Sequence, residues 1–264
     1  MRIEKRTIVI TGATSGIGLG LKNTFVGIGD VVIDISRTST DYAVDVSDEK
    51  KLKAAFDEIY KNHGEIDMLI CCAGYGISGA VELIDEKTAK RQFDVNFFGT
   101  SNACKYAIPK MKKNGKIIII ASATTLFPLP FRAYYCASKA AVDSFARSLR
   151  MELSKTTVQV TSICPCDIKT NFSFNRIKDY ETNERYGTSV RLSTEPTEKT
   201  EKRRMDCAVA VKKIYKICEK KYLKPRYIVG AEYKLLNIIK RLFSVKVMDD
   251  STIKLFYKQE NKKG

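Results

Sequence analysis

The sequence predicts an α/β fold, a single-domain, doubly wound parallel sheet with helices on both faces. Three observations point there. Short apolar runs alternate with helix-like segments, those runs are fully apolar and rich in Ile and Val, and a glycine-rich turn joins the first run to the first helix. With 264 residues, 44% of them hydrophobic, and no internal repeat, the chain supports one substantial core, so one domain is expected over residues 1–264.

Thr7–Thr11 is the first strand, continuous in apolar residues as a buried parallel strand must be, and Gly18–Gly27 is the first helix. Val31–Ile35 follows as a strand, then a helix at Glu49–Asn62 and a strand at Met68–Cys72. Lys87–Lys113 reads as one long helical segment before the strand Ile117–Ala121, and Ala133–Ser154 as another before Val158–Cys164. Met205–Lys220 and Tyr227–Val229 supply the last helix and strand of the sheet. Two stretches depart from the alternation. Residues 171–204 are polar, rich in Thr, Glu, Lys and Arg and without sustained periodicity; such a long connection is expected to be a lid that orders over ligand. Within the tail, 231–264, the stretch from Tyr233 to Phe243 spells a basic amphipathic helix. Packing against the domain or a partner subunit is its first expectation, contact with a membrane surface its second.

Lysine and arginine outnumber aspartate and glutamate 46 to 30, a net charge of +16. The cations are scattered, densest at 199–204, 212–224 and 258–263, so a solvated surface is expected in place of a nucleic-acid groove. Their field would still favour an anionic ligand. Eight cysteines lack framework spacing, and Cys71 adjoins Cys72, the pattern of reduced thiols in a cytoplasmic protein. Residues 1–6 lead straight into the first apolar run without an export signal, and no apolar stretch reaches the roughly 18 residues of a membrane span. His63, the one histidine, is placed as a cation at a helix C-terminus before Gly64. Without a second histidine or cysteines at ligand spacing, no metal is expected.

The turn Thr11-Gly12-Ala13-Thr14-Ser15-Gly16-Ile17-Gly18 lies between the first strand and the first helix. Gly12 and Gly16 allow backbone geometry and close approach that a Cβ would block, and Gly18 allows tight helix–strand packing. The helix N-terminus then offers amides and a partial positive charge to a pyrophosphate. Four further stretches keep this company: Asp45-Val46, Asp94-Val95-Asn96, Ser122, and Tyr135-x-x-x-Lys139 thirteen residues beyond that serine. The set resembles the short-chain dehydrogenase/reductase (SDR) family in its reductase-like branch, over residues 5–170. Arg226–Gly230 and the tail resemble more weakly its hydroxysteroid-dehydrogenase-like members. The resemblance implies a Rossmann fold, a nicotinamide cofactor, and homodimers or homotetramers formed through the helices at 87–113 and 133–154.

Cofactor choice is read at the end of the second strand, where an acid holds a ribose 2′-OH and an arginine accommodates a 2′-phosphate. The position acidic in NAD-preferring relatives falls on Ser36, and Arg37 follows it. NADP(H) is therefore expected, with NAD(H) possible if a loop shift brings Asp34 to the ribose. The resemblance adds Asp45 and Val46 at the adenine and Cys72, Ala73 and Gly74 beside the adenosine ribose. Pro165, Ile168 and Thr170 take the nicotinamide carboxamide end. In two places the sequence departs from the family: Cys71-Cys72 stands where Asn-Asn is usual, and Cys166 replaces a glycine, where a positive φ would be uncomfortable. A redox role for Cys71, Cys72, Cys164 or Cys166 is conceivable, with buried inert thiols the first expectation.

Tyr135 and Lys139 share one helix face a turn apart, whereas Tyr134 points elsewhere and reads as a packing residue. Alone, such a pair is commonplace. With the family's motifs in register it implies chemistry. An ordinary tyrosine titrates near 10, and an ammonium within roughly 4–6 Å stabilises its phenolate. Tyr135 would exchange a proton with a carbonyl or alcohol, Lys139 would lower its pKa and hold the nicotinamide ribose, and Ser122 would steady the substrate oxygen. Asn96 would hold a water linking Lys139 to solvent. Residues 75–79, 123–132 and the segment after Thr170, with Phe172 and Phe174, would line an apolar site for a small hydrophobic ketone or secondary alcohol. Against this NADP(H)-dependent oxidoreductase stands a non-catalytic dinucleotide-binding redox sensor or scaffold, which tends to lose the Tyr or Lys that this chain keeps. An enoyl-thioester reductase would space its Tyr and Lys further apart.

Overall fold

The computed structural model describes residues 5–170, 177–178, 181–194 and 204–257. The chain begins β1 (Thr7–Thr11), α1 (Gly16–Gly27), β2 (Val31–Ser36), β3 (Tyr42–Ala43), α2 (Glu49–His63), β4 (Ile66–Cys71), β5 (Ile77–Ser78) and α3 (Glu86–Phe93). A π-helical turn, Asp94–Phe98, leads into α4 (Gly99–Ala107), then β6 (Met111–Ile120), α5 (Ala133–Glu152), β7 (Gln159–Pro165), β8 (Ile168–Lys169) and β9 (Ile177–Lys178). The remainder is α6 (Ser189–Thr194), β10 (Met205–Asp206), α7 (Cys207–Cys218), β11 (Arg226–Val229), α8 (Ala231–Ile239) and α9 (Val245–Tyr257).

Seven strands form one parallel sheet in the order β11-β7-β6-β4-β1-β2-β3. The winding direction changes between β1 and β4, so the crevice at their C-terminal ends is the topological switch point. Alternation along each strand sends side chains to opposite faces. Val9, Ile33, Leu69, Ile117 and Ile119 pack with Leu52, Phe56, Ala103 and Val142 of α2, α4 and α5. Ile8, Ile10, Met68, Ile70 and Ile118 pack with Leu21, Phe25, Val211 and Ile214 of α1 and α7. Each such aliphatic or aromatic side chain contributes about 1.5–3 kcal/mol by leaving water. At the β7–β11 edge, Asp143 of α5 is buried and accepts hydrogen bonds from Ser162 Oγ (2.6 Å) and Arg226 Nε (2.9 Å), with Arg226 completing an ion pair.

Three expectations are corrected. The segment Lys87–Lys113 is not one helix: it passes through the π turn, Pro109 sits in a short 3₁₀ turn, and Met111 already pairs with Ile66 in the sheet. Proline cannot continue the hydrogen-bond ladder, and strand pairing takes over where it ends the helix. The tail helix stops at Ile239, and a second begins at Val245. The described part of 171–204 is not wholly irregular: β9 pairs with β5 (Ile77 with Ile177), and α6 follows. Phe172 and Phe174 lie outside the described residues. No helix among the described residues is long and apolar enough to cross a membrane.

Candidate active site

The glycine turn sits at the switch point. Gly12 adopts φ +76° and Gly16 φ +53°, the left-handed region that favours glycine. A Cβ at Gly18 would stand 2.2 Å from the Gly12 oxygen, and one at Gly12 2.8 Å from Ala73 Cα. The loop therefore lies directly on Cys72-Ala73-Gly74, where the Cys72 amide donates to Thr11 O (3.0 Å) and the Ala73 amide to Thr11 Oγ1 (3.3 Å). Thr14 and Ser15 are exposed, Ile17 is half-buried, and Thr170 roofs the turn, 3.6 Å from where a Gly16 Cβ would be. The first amides of α1 have no acceptor within their own helix and open onto this cradle. The glycines let the loop seat on its neighbours in this way, and a pyrophosphate would be held at the amides it presents.

Asp34 is engaged elsewhere than at a ribose. It is buried, accepts the Ala13 amide (2.8 Å) and the Ser36 hydroxyl (2.9 Å), and so braces the glycine turn. Ser36 is buried beside it and Arg37 is exposed. Asp45 accepts from the Ser47 amide (3.0 Å), the Ser47 hydroxyl (2.7 Å) and Arg91. Burial alone would raise its carboxyl, but those hydrogen bonds outweigh burial and hold it below the usual carboxylate range. Val46 is buried against Gly99. The Tyr75 phenol, raised first by burial, lies within electrostatic reach of Arg91, Asp94, Arg37 and Asp45. Its hydroxyl is buried with no hydrogen-bond partner among the described residues.

The four residues expected to form a tetrad lie on three elements: Ser122 just after β6, Tyr135 and Lys139 on α5, and Asn96 in the π turn. Tyr135 and Lys139 are buried on the same face of α5. Lys139 Nζ donates to Ile120 O (2.9 Å), at the end of β6 and two residues before Ser122. Ser122 Oγ accepts the Thr124 amide (3.2 Å), which leaves its hydroxyl hydrogen to donate. Asn96 is fully buried; its Oδ1 accepts the Tyr75 amide (3.0 Å), and its Nδ2 donates to Tyr75 O and Ser138 Oγ (3.0 Å each). Ser138 in turn donates to Tyr135 O (2.8 Å). A Cβ at Gly74 would stand 2.9 Å from Asn96 Oδ1 and 3.5 Å from Lys139 Nζ, so glycine is required beneath that pair. Burial pushes the Lys139 ammonium down to about 8, against the opposing influence of the Cys72, Cys164 and Cys71 thiols.

Pro165 ends β7, and Ile168 in β8 is buried and paired with Met205. Cys166 does not take a positive φ; its amide bonds Val229 O (2.9 Å), and its side chain fills the space left open by Gly230. Burial pushes the Cys164 thiol up to about 11 and Cys218 up to about 12, which makes them poor nucleophiles. His63 ends α2 ahead of the capping Gly64. Three features around the turn and crevice escaped the sequence reading. Asp34 as a brace, the Tyr75 hydroxyl and Arg91 are all fixed by contacts between elements, and only the proximity of Asp34 to Ser36 left a trace in the sequence.

This arrangement defines the class: a doubly wound domain with a glycine-rich turn at its switch point and a buried Tyr135–Lys139 pair at its β6–α5 corner. The short chain dehydrogenase family profile matches residues 6–181. A 3-ketodihydrosphingosine reductase from Bacteroides thetaiotaomicron is 34% identical over 211 residues, covering 76% of this chain and 78% of that one. A short-chain dehydrogenase from Streptomyces avermitilis superposes with a TM-score of 0.79 at 21% identity, over 98% of each chain. Another, from Burkholderia cenocepacia in complex with NADP, gives 0.71 at 24% identity over 91% of this chain and 96% of that one. The chain belongs to the short-chain dehydrogenase family and is an NAD(P)-dependent oxidoreductase.

Proposed function

We propose that the protein is an NADP(H)-dependent reductase/dehydrogenase interconverting a hydrophobic ketone and its secondary alcohol, with Tyr135 as general acid/base. The observation that carries this is the buried Lys139 ammonium, fixed on Ile120 O one helical turn from buried Tyr135 and two residues from Ser122. When bound, the nicotinamide supplies or takes up the hydride. Ser122 holds the substrate oxygen, and Tyr135 gives it a proton in reduction or takes one in oxidation. Lys139, still charged at neutral pH, favours the phenolate. Asn96 fixes Tyr75 and Ser138 beneath the pair, and a water held there would link Lys139 to solvent, as the family resemblance implies.

For the 2′-phosphate form, support comes from Ser36 and Arg37 at the end of β2 and from the engagement of Asp34 with the glycine turn. An apolar substrate is supported by Leu126, Phe127 and Phe131, with Tyr186 of the proposed lid edge-on to Phe131 at 5.7 Å. The Bacteroides relative is named for a ketone, which agrees with this class. Phe131 sits at φ +55°, a strained value for an aromatic residue, in the turn that leads into the Tyr135 helix.

The test is NADPH oxidation against a panel of hydrophobic ketones. Tyr135→Phe is expected to lower turnover by roughly 100-fold or more while keeping the thermal shift with NADPH. Wild-type binding without turnover on any ketone would favour the sensor reading. Equal rates for the two proteins would end the acid/base assignment.

A further inference from the structure

The segment that follows the last strand carries an apolar surface that the other described residues leave exposed. From Tyr233 to Val247 the sequence has four cations, Lys234, Lys240, Arg241 and Lys246, and no acid, with Glu232 before the stretch and Asp249 and Asp250 after it. In the same stretch Leu235, Leu236, Ile238, Leu242, Phe243, Val245 and Val247 are exposed, Leu242 by 77%, Val245 by 72% and Ile238 by 60%.

The helix α8 has two faces with different partners. Tyr233 and Lys240 point inward: the Tyr233 ring lies 6.3 Å from that of Phe127, and Lys240 Nζ donates to Leu126 O (2.6 Å) and sits 5.5 Å above the Phe127 ring. Leu235, Ile238 and Leu242, at intervals of three and four, form a stripe on the opposite side and continue into Phe243 and Val245. A helix apolar on two sides needs a second apolar phase to cover the outer one. The flanking charges say which phase. A second copy of this chain would set the same cations, Lys234, Arg241 and Lys246, against one another at the patch, whereas an anionic lipid surface complements them.

We infer that the outer stripe of α8 and the turn after it dock on an anionic lipid surface, with Leu235, Ile238, Leu242, Phe243 and Val245 inserted and Lys234, Arg241 and Lys246 at the headgroups. The inner face of the same helix holds the Leu126-Phe127 loop, so docking places the substrate side of the crevice next to lipid. That consequence rests on the hydrophobic-substrate reading above; the docking does not.

The experiment is flotation of the full chain, without cofactor or substrate, with vesicles of phosphatidylcholine alone or mixed with phosphatidylglycerol. Binding to the mixed vesicles is expected, weakening with added salt. Arg241→Gln with Lys246→Gln should weaken it on the order of tenfold. Leu235→Ser, Ile238→Ser and Leu242→Ser together should abolish it while leaving the NADPH thermal shift unchanged, which shows the variant folded. No binding to anionic vesicles, or undiminished binding by the triple variant, would overturn the inference. So would a wild type that is larger in solution than the triple variant, because the stripe would then be a contact between copies. Loss of ketone turnover in the separate assay touches only the substrate reading.

Discussion

Lys139 and Arg37 are the residues where single substitutions speak most directly. A lysine whose folded pKa is lowered, here to about 8, is a stability penalty below that value, because the unfolded chain holds the proton more tightly. The penalty lifts as pH rises from about 8 towards the ordinary lysine value. Wild type should therefore gain about 1 kcal/mol relative to Lys139→Met between pH 7 and 9, read from urea midpoints at the two pH values. A parallel pH dependence of the two proteins would deny Lys139 its buried ammonium. At the adenosine end, Arg37→Ala is expected to weaken NADPH binding by about 10–100-fold and to leave NADH nearly unchanged, the worth of a charge-assisted contact. Asp34 explains why a second-strand acid need not mean NAD(H): its carboxylate already serves the Ala13 amide and the Ser36 hydroxyl.

The elements show where sequence reading reaches and where it stops. β1 and the starts of β2 and α2 were legible because each is a clean run or a capped periodic segment. Asp48, for example, caps α2 by accepting the Lys51 amide. The glycine turn was legible from local chain geometry, and the Tyr135–Lys139 pair only through the family resemblance that surrounds it. The π turn, β5 with β9, and the start of β6 were not, because each depends on partners distant in sequence. Asn96 illustrates both: its presence was readable, but the side-chain bonds to Tyr75 and Ser138 were not. The join of α5 to β11 yields a prediction of its own. Arg226→Met would leave Asp143 charged, buried and half-partnered, at a cost of about 3–5 kcal/mol in chemical denaturation. Asp143→Leu combined with Arg226→Met should recover much of that loss. If the double variant were as unstable as the single one, the unpaired carboxylate would not be the cause.

For the whole molecule, the sheet fixes which surfaces are free for assembly. A groove between α3 and α5 is lined by Ile84, Ala89, Phe93, Phe98 and Tyr134, and Phe98 is exposed. We expect homo-oligomers through this face, with Phe98→Lys lowering the solution mass measured by light scattering while NADPH still raises the melting temperature. An unchanged mass would place the contact elsewhere. The order of strands also bears on how the chain is made. β11 is the edge strand beside β7, and Arg226 meets Asp143 across 83 residues. On the ribosome, then, the nascent sheet must wait with an open β7 edge and an unneutralised acid until that late strand emerges. Over that interval it is most exposed to mispairing, and most in need of a chaperone.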